Sequence, residues 1–147
     1  MKKFDFHMHT NYSRCSNLDP GVLVERALKK GLNSVCVTDH DTTRGAVEAR
    51  NYQEKHNLPI KVELGIEPTT NLGEVLINLL SPEECGLFEK KLKYENGVCS
   101  FPVLHEIIMY LREQKSNILV GGNHLFSLER LFLILAFVRP IILAIHL

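Results

Sequence analysis

The sequence predicts an α/β protein of parallel strands alternating with helices, and three observations carry that prediction. Apolar segments of strand length alternate with segments whose apolar residues recur at helical spacing. Helix-start pairs such as Asp19-Pro20 and stop residues such as Gly31 punctuate them. Histidine or glutamate follows four of the strand segments, which places polar chemistry at one end of the sheet.

The first segment, FDFHMHT, sets Asp5, His7 and His9 on alternate positions with Phe4, Phe6 and Met8 between them. A strand has a period of two, so the three polar side chains share one face and the apolar ones the other. Asp19 then caps a helix with Pro20 in its first position, Leu23, Ala27 and Leu28 on its inner side, and Gly31 as the stop. NSVCVTDHD holds a short buried strand over 34–38. Thr43 or a neighbour opens a second helix through Ala46, Val47, Ala49 and Tyr52, which ends near Asn57 and Pro59. IKVELGIE, residues 60–67, alternates as a strand should, and GEVLINLL follows as another after a turn at 71–73. Residues 81–99 read as a charged loop. Ser100 and Pro102 open a third helix carrying Val103, Leu104, Ile107, Ile108 and Leu111, and NILVGGNH contains the next strand at 118–120. The most hydrophobic stretch, residues 131–147, is split by Arg139 and Pro140 into runs shorter than the roughly 20 apolar residues that span a bilayer. It reads as a buried helix followed by a buried strand.

Composition bounds the function. The 147 residues are 45% hydrophobic and 23% charged, enough for one domain over 1–147 with a real core. Seventeen basic residues balance seventeen acidic ones, so no global field holds nucleic acid or an anionic membrane. Lys90, Lys91 and Lys93 form a solvated face. Cys15, Cys36, Cys85 and Cys99 show no C-x-x-C spacing and nothing resembles a secretory signal, which predicts reduced thiols in a cytoplasmic protein.

Ligand-type residues collect at the predicted strand ends. His7 and His9 end the first strand, His40 follows the second, Glu67 closes the third, and His124 comes after the strand at 118–120. Carboxyl ends of parallel strands share one rim, so four segments deliver imidazole or carboxylate to the same mouth. Any one histidine could be an ordinary turn residue; the convergence is what points to metal. His56 and His105 fall on helices and read as exposed, while His146 follows an apolar run at the chain end. A mixed imidazole and carboxylate site suits Zn²⁺, Mn²⁺ or Fe²⁺ better than Ca²⁺ or Mg²⁺. Asp5, Asp39 and Asp41 are candidates to orient the imidazoles by accepting their second ring N–H.

The motifs DFHMHT, TDHD, GIE and GNH, in this order and spacing over residues 4–126, resemble the PHP (polymerase and histidinol phosphatase) superfamily of metallohydrolases. The resemblance implies a distorted seven-stranded β/α barrel that binds one to three divalent ions and hydrolyses phosphoesters with metal-activated water. It makes His7 and His9 ligands of one ion, Glu67 a bridge to a second, His124 a ligand of that second ion and His40 a ligand of a third. Asp5, Asp39 and Asp41 support them, and Arg44 is a candidate phosphate contact for a small phosphorylated substrate. Several positions depart from the pattern. Arg14 stands in YSRC where many relatives carry Asp, Leu76 stands in GEVLI where a subset carries His, and Leu125 replaces the Pro after the fourth-motif His. The terminal Asp-x-His motif is absent, so the expected barrel is incomplete, with five or six strands and an edge for a second copy or a completing polypeptide to cover. Two functions follow: a metal-dependent phosphoesterase acting on a small phosphoester or nucleotide, or a degenerate module that binds metal or a partner without turnover.

Overall fold

The computed structural model of the chain describes residues 2–123. Within them four helices and eight strands follow one another as β1 (Phe4–Met8), α1 (Pro20–Lys29), β2 (Ser34–Val37), α2 (Arg44–Lys55), β3 (Lys61–Ile66), β4 (Thr69–Thr70), β5 (Gly73–Leu80), α3 (Pro82–Lys91), β6 (Tyr94–Glu95), β7 (Val98–Cys99), α4 (Phe101–Glu113) and β8 (Leu119–Asn123). Five strands have full length and three are two-residue pairs. The sheet follows the order β1-β2-β3-β5-β4-β7-β6 with β8 on β5, and among the described residues it stays open rather than closing on β1.

β1, β2 and β3 are parallel, as the alternation with helices predicts. The purely parallel expectation fails from β3 onwards, because β5 pairs antiparallel with β3 and β8 antiparallel with β5. The few residues between β3 and β5 leave no room for a crossover helix, and a short connection joins neighbouring strands only antiparallel. Two reversals give β8 the same sense as β1, β2 and β3.

Three of the four described helix starts carry a side-chain cap. The Asp19 carboxylate accepts the N–H groups of Gly21 and Val22 at 2.9 and 3.1 Å, with Pro20 in the first turn and Gly31 at φ 75° beyond the end. α2 lacks a side-chain cap from Thr43; Glu89 of α3 supplies it by accepting the Thr43 N–H at 2.6 Å and both threonine hydroxyls. α3 itself corrects the expected loop over 81–99. Ser81 and Glu84 form a reciprocal capping box with Pro82 at the first position, and the sequence S-P-E-E is its signature. The lysines at 90, 91 and 93 are solvent-exposed, as expected.

The core is continuous, from Leu23, Val24 and Ala27 of α1 through β2 and β3 to Leu104, Ile107, Ile108 and Leu111 of α4. Every residue of β2 is buried, as for a parallel strand covered on both faces. The apolar face of β1 behaves otherwise: Phe4 and Phe6 are 52% and 38% exposed and stack on each other with centroids 6.1 Å apart. Phe88 of α3 has no exposed surface. Phe88→Ala is expected to cost about 3–5 kcal/mol in denaturant unfolding, and a loss below about 1 kcal/mol would show that α3 is not part of the cooperative core. Among the described residues no helix is long and apolar enough to cross a membrane.

Candidate metal centre

Parallel pairing builds the centre. His7 and His9 lie at the carboxyl end of β1, and beyond β2 and β3 a parallel bridge sets His40 beside Glu67. Glu67 donates its N–H to the Asp39 carbonyl at 3.0 Å and accepts the Asp41 N–H at 3.2 Å, which extends the β2–β3 ladder just far enough to align those two side chains.

Glu67, 1% exposed, is the hub. Its Oε2 lies 3.2 Å from His7 Nε2, 3.3 Å from His9 Nε2 and 3.4 Å from His40 Nδ1. His40 Nδ1 is buried, makes no hydrogen bond, and also lies 3.7 Å from Glu74 Oε1. The two imidazole nitrogens, His7 Nε2 and His9 Nε2, are only 2.8 Å apart. At that separation their lone pairs repel unless a proton or a cation stands between them.

Proton accounting shows which nitrogen is which. Ser13 Oγ donates to the buried Asp39 carboxylate at 2.7 Å, while accepting the His40 backbone N–H at 2.8 Å. Its hydroxyl proton is committed, so at 3.1 Å it accepts from His9 Nδ1–H. His9 therefore presents an unprotonated Nε2 to Glu67 and His7. The electrostatics agree: the bond to Glu67 raises the His7 pKa above its usual 6.5 against the opposing effect of burial, whereas burial lowers that of His9 in spite of the Glu67 charge. In the metal-free chain the shared proton sits on His7.

The donor set fits a divalent ion. Three ligands at about 2.0–2.1 Å on a tetrahedral ion are separated by roughly 3.3–3.4 Å, and the observed separations of His7, His9 and Glu67 are 2.8, 3.2 and 3.3 Å. Replacing the proton by a cation needs shifts of only a few tenths of an ångström.

The supporting carboxylates act differently from the expectation of direct contact with ring nitrogens. Asp5 accepts the His7 backbone N–H at 3.1 Å. Asp39 accepts the Thr10 N–H and hydroxyl, both at 2.6 Å, and reaches His9 only through Ser13. Asp41, at φ 63°, accepts the Thr69 N–H at 2.7 Å and holds the turn into β4. A turn carboxylate meets its own unpaired backbone donors first, and only the buried Asp39 is linked onward to an imidazole. Arg44 is exposed at the start of α2, 5.6 Å above the Tyr12 ring, with Nε donating to Thr42 at 3.2 Å. His124 and His146 lie outside the described residues. His56 is exposed, and His105 is half-buried beside the Phe101 ring. Sequence reasoning missed Thr10, Ser13, Gly45 and Glu74. No periodicity marks them, since Thr10 and Ser13 act from the turn after β1, Gly45 through the approach of α2, and Glu74 from the start of β5.

A family model described as the PHP domain matches residues 5–129. An uncharacterized protein of Methanocaldococcus jannaschii is 31% identical over an alignment covering 68% of this chain and 66% of that protein. The 5'-3' exoribonuclease Rnm of Escherichia coli is 34% identical over 67 residues, which cover 46% of this chain and 22% of the enzyme. A PolC-type DNA polymerase III of Oceanobacillus iheyensis is 36% identical over 67 residues, 45% of this chain and 5% of the polymerase. The chain thus spans 66% of the first relative and far less of the others. A crystallised protein of Bifidobacterium adolescentis, assigned as a metal-dependent phosphoesterase, superposes with a TM-score of 0.56 at 18% identity, covering 92% of this chain and 74% of that one, and so shares the fold. The family match runs over most of the chain, including the rim that gathers His7, His9, His40 and Glu67, and the chain belongs to the PHP domain family.

Proposed function

We propose that the chain is a metal-dependent phosphoester hydrolase in which His7, His9 and Glu67 hold a divalent ion, Zn²⁺ or Mn²⁺, with His40 beside it and a small phosphoester or nucleotide as substrate. The convergence of three ligand atoms at the separations of a coordination shell carries this reading. Membership of the PHP domain family supports it, and the exoribonuclease relatives favour a nucleotide phosphoester. Balanced charge argues for a small substrate rather than a long duplex. When bound, the ion supplies Lewis acidity towards water and a phosphoryl oxygen. The protein's part is to fix His9 as its Nδ1–H tautomer through Ser13 and Asp39, and to keep Glu67 out of water. Arg44 stands ready to contact phosphate from the rim.

The test is hydrolysis of bis(p-nitrophenyl) phosphate and of short oligonucleotides with Zn²⁺ or Mn²⁺. Activity should fall to the chelated background in His7→Ala and His9→Ala; turnover that persists in both variants, or in excess chelator, rules the reading out. A second reading, metal binding without turnover, draws on two features: Leu76 stands in mid-β5 opposite Gly121, and exposed Arg14 in the turn after β1, where other family members carry ligand-type residues. Stoichiometric metal without hydrolysis of either substrate would select it.

Metal uptake should depend on pH through His7. Its raised pKa means that the protonated His7–Glu67 pair stabilises the metal-free fold fully below about pH 6.5, a contribution lost as pH rises through the higher folded value. The ion competes with that proton, so affinity should rise with pH over the same window. Calorimetry in two buffers of different ionisation enthalpy should show proton release at pH 6.5 that fades at higher pH. Uptake without proton release at pH 6.5 would remove His7 from the ligand set.

A further inference from the structure

The turn after β1 carries one large aromatic side chain that the metal centre does not use. Tyr12 is 38% exposed and lies three residues beyond His9, a span of at most about 10 Å. Its position is nonetheless fixed. The Tyr12 hydroxyl donates to Glu48 Oε2 at 2.6 Å, and its backbone N–H donates to Thr10 Oγ1 at 3.2 Å. Thr10 is bonded in turn to Asp39, which holds Ser13 and through it His9. The Arg44 guanidinium lies 5.6 Å from the Tyr12 ring centroid, and Arg44 and Glu48, four residues apart on α2, share one face of that helix.

A tyrosine that only ties one element to another looks different. The Tyr52 hydroxyl donates to Glu25 at 2.6 Å and joins α2 to α1, but its ring is used in packing: it lies against Gly21 and stacks on His56 with centroids 4.3 Å apart. The Tyr12 ring is held as firmly and still offers its surface to solvent at the rim of the metal centre. An aromatic face fixed in advance stacks a planar ligand with little ordering cost, and it takes any nucleobase because every base has a π-face. We infer that Tyr12 is a stacking platform for the base of a nucleotide whose phosphate lies at the metal centre, with Arg44 and Glu48 holding the ring. The platform makes the site select nucleotides over sugar phosphates without choosing among bases. Tyr12 is thus a specificity-determining residue. The inference rests on the proposed function in one respect, that the centre receives the phosphate.

The sequence contains no tryptophan, so Tyr12→Trp introduces a single fluorescent reporter. In the Zn²⁺-loaded chain AMP should quench its emission. Ribose 5-phosphate, which has the sugar and phosphate without the base, should leave it unchanged. The control is Tyr110→Trp on the exposed side of α4, which should respond to neither. In calorimetry Tyr12→Leu should weaken AMP binding by about tenfold and leave ribose 5-phosphate binding as it was, while Tyr12→Phe, which keeps the ring, should restore AMP binding. Absence of AMP binding to the parent chain, equal losses for AMP and ribose 5-phosphate in Tyr12→Leu, or emission of Tyr12→Trp indifferent to AMP overturns the inference. Binding is read without turnover, so the two readings fail separately. Quenching by AMP in a chain that hydrolyses nothing keeps the platform and selects metal binding without turnover. Metal-dependent hydrolysis with AMP binding unaffected by Tyr12→Leu leaves the proposed function standing and removes the platform.

Discussion

Changing Glu67 to glutamine is expected to weaken Zn²⁺ or Mn²⁺ binding by at least about 100-fold, the upper range seen when groups merely supporting a ligand are lost. The substitution conserves volume and removes only the charge, and that charge is the one on which three imidazole nitrogens converge between 3.2 and 3.4 Å. Because Glu67 is 1% exposed, no water replaces its carboxylate. A second readout follows in the metal-free protein. The bond to Glu67 is the main reason the His7 pKa is raised, so Glu67→Gln should let it fall, and the His7 ring resonances should report this in an NMR titration. Metal affinity within about threefold of the parent chain, with His7 still raised, would mean that Glu67 is not the hub.

Gly45→Ala should damage the same centre from a distance. A Cβ at Gly45 would collide with Asp39 Oδ2 and Thr10 Oγ1, both buried. Alanine is the better helix former by about 1 kcal/mol, but here overpacking should dominate, at a net cost of about 1–3 kcal/mol. The displaced Asp39 carboxylate can no longer hold Ser13, and Ser13 can no longer hold the His9 tautomer. Metal affinity should therefore fall by about 10–100-fold in a chain that still folds. Gly86→Ala is the control: it also lies within a helix, a Cβ there meets nothing within 4 Å, and the change should be neutral or stabilising by up to about 1 kcal/mol. Equal behaviour of the two variants would show that the approach of α2 to Asp39 does not matter.

Much of the fold was legible locally. Asp19-Pro20 and Gly31 bracket α1, SVCV is a buried strand, and the apolar spacing of α4 matches its buried face at Leu104, Ile107, Ile108 and Leu111, while Val103 is exposed. The capping box of α3 was equally legible in S-P-E-E, although the charges that follow disguise it as a loop. The cap of α2 was not legible, since Glu89 comes from another helix. Nor was the sense of β5, which depends on the length of a connection rather than on the strand's own residues.

The candidate centre divides the same way. Alternation along β1 puts Asp5, His7 and His9 on one face, and the position of His40 and Glu67 after apolar strands puts them on the same rim, so the sequence alone determined the donor types and the end of the sheet that carries them. Tertiary structure decided the rest: that one glutamate oxygen meets three imidazoles, and that Asp39 acts through Ser13. The physical reason is range. A period of two or 3.6 residues is written in neighbouring side chains, whereas a 3 Å contact between distant residues depends on strand register, turn geometry and helix approach together.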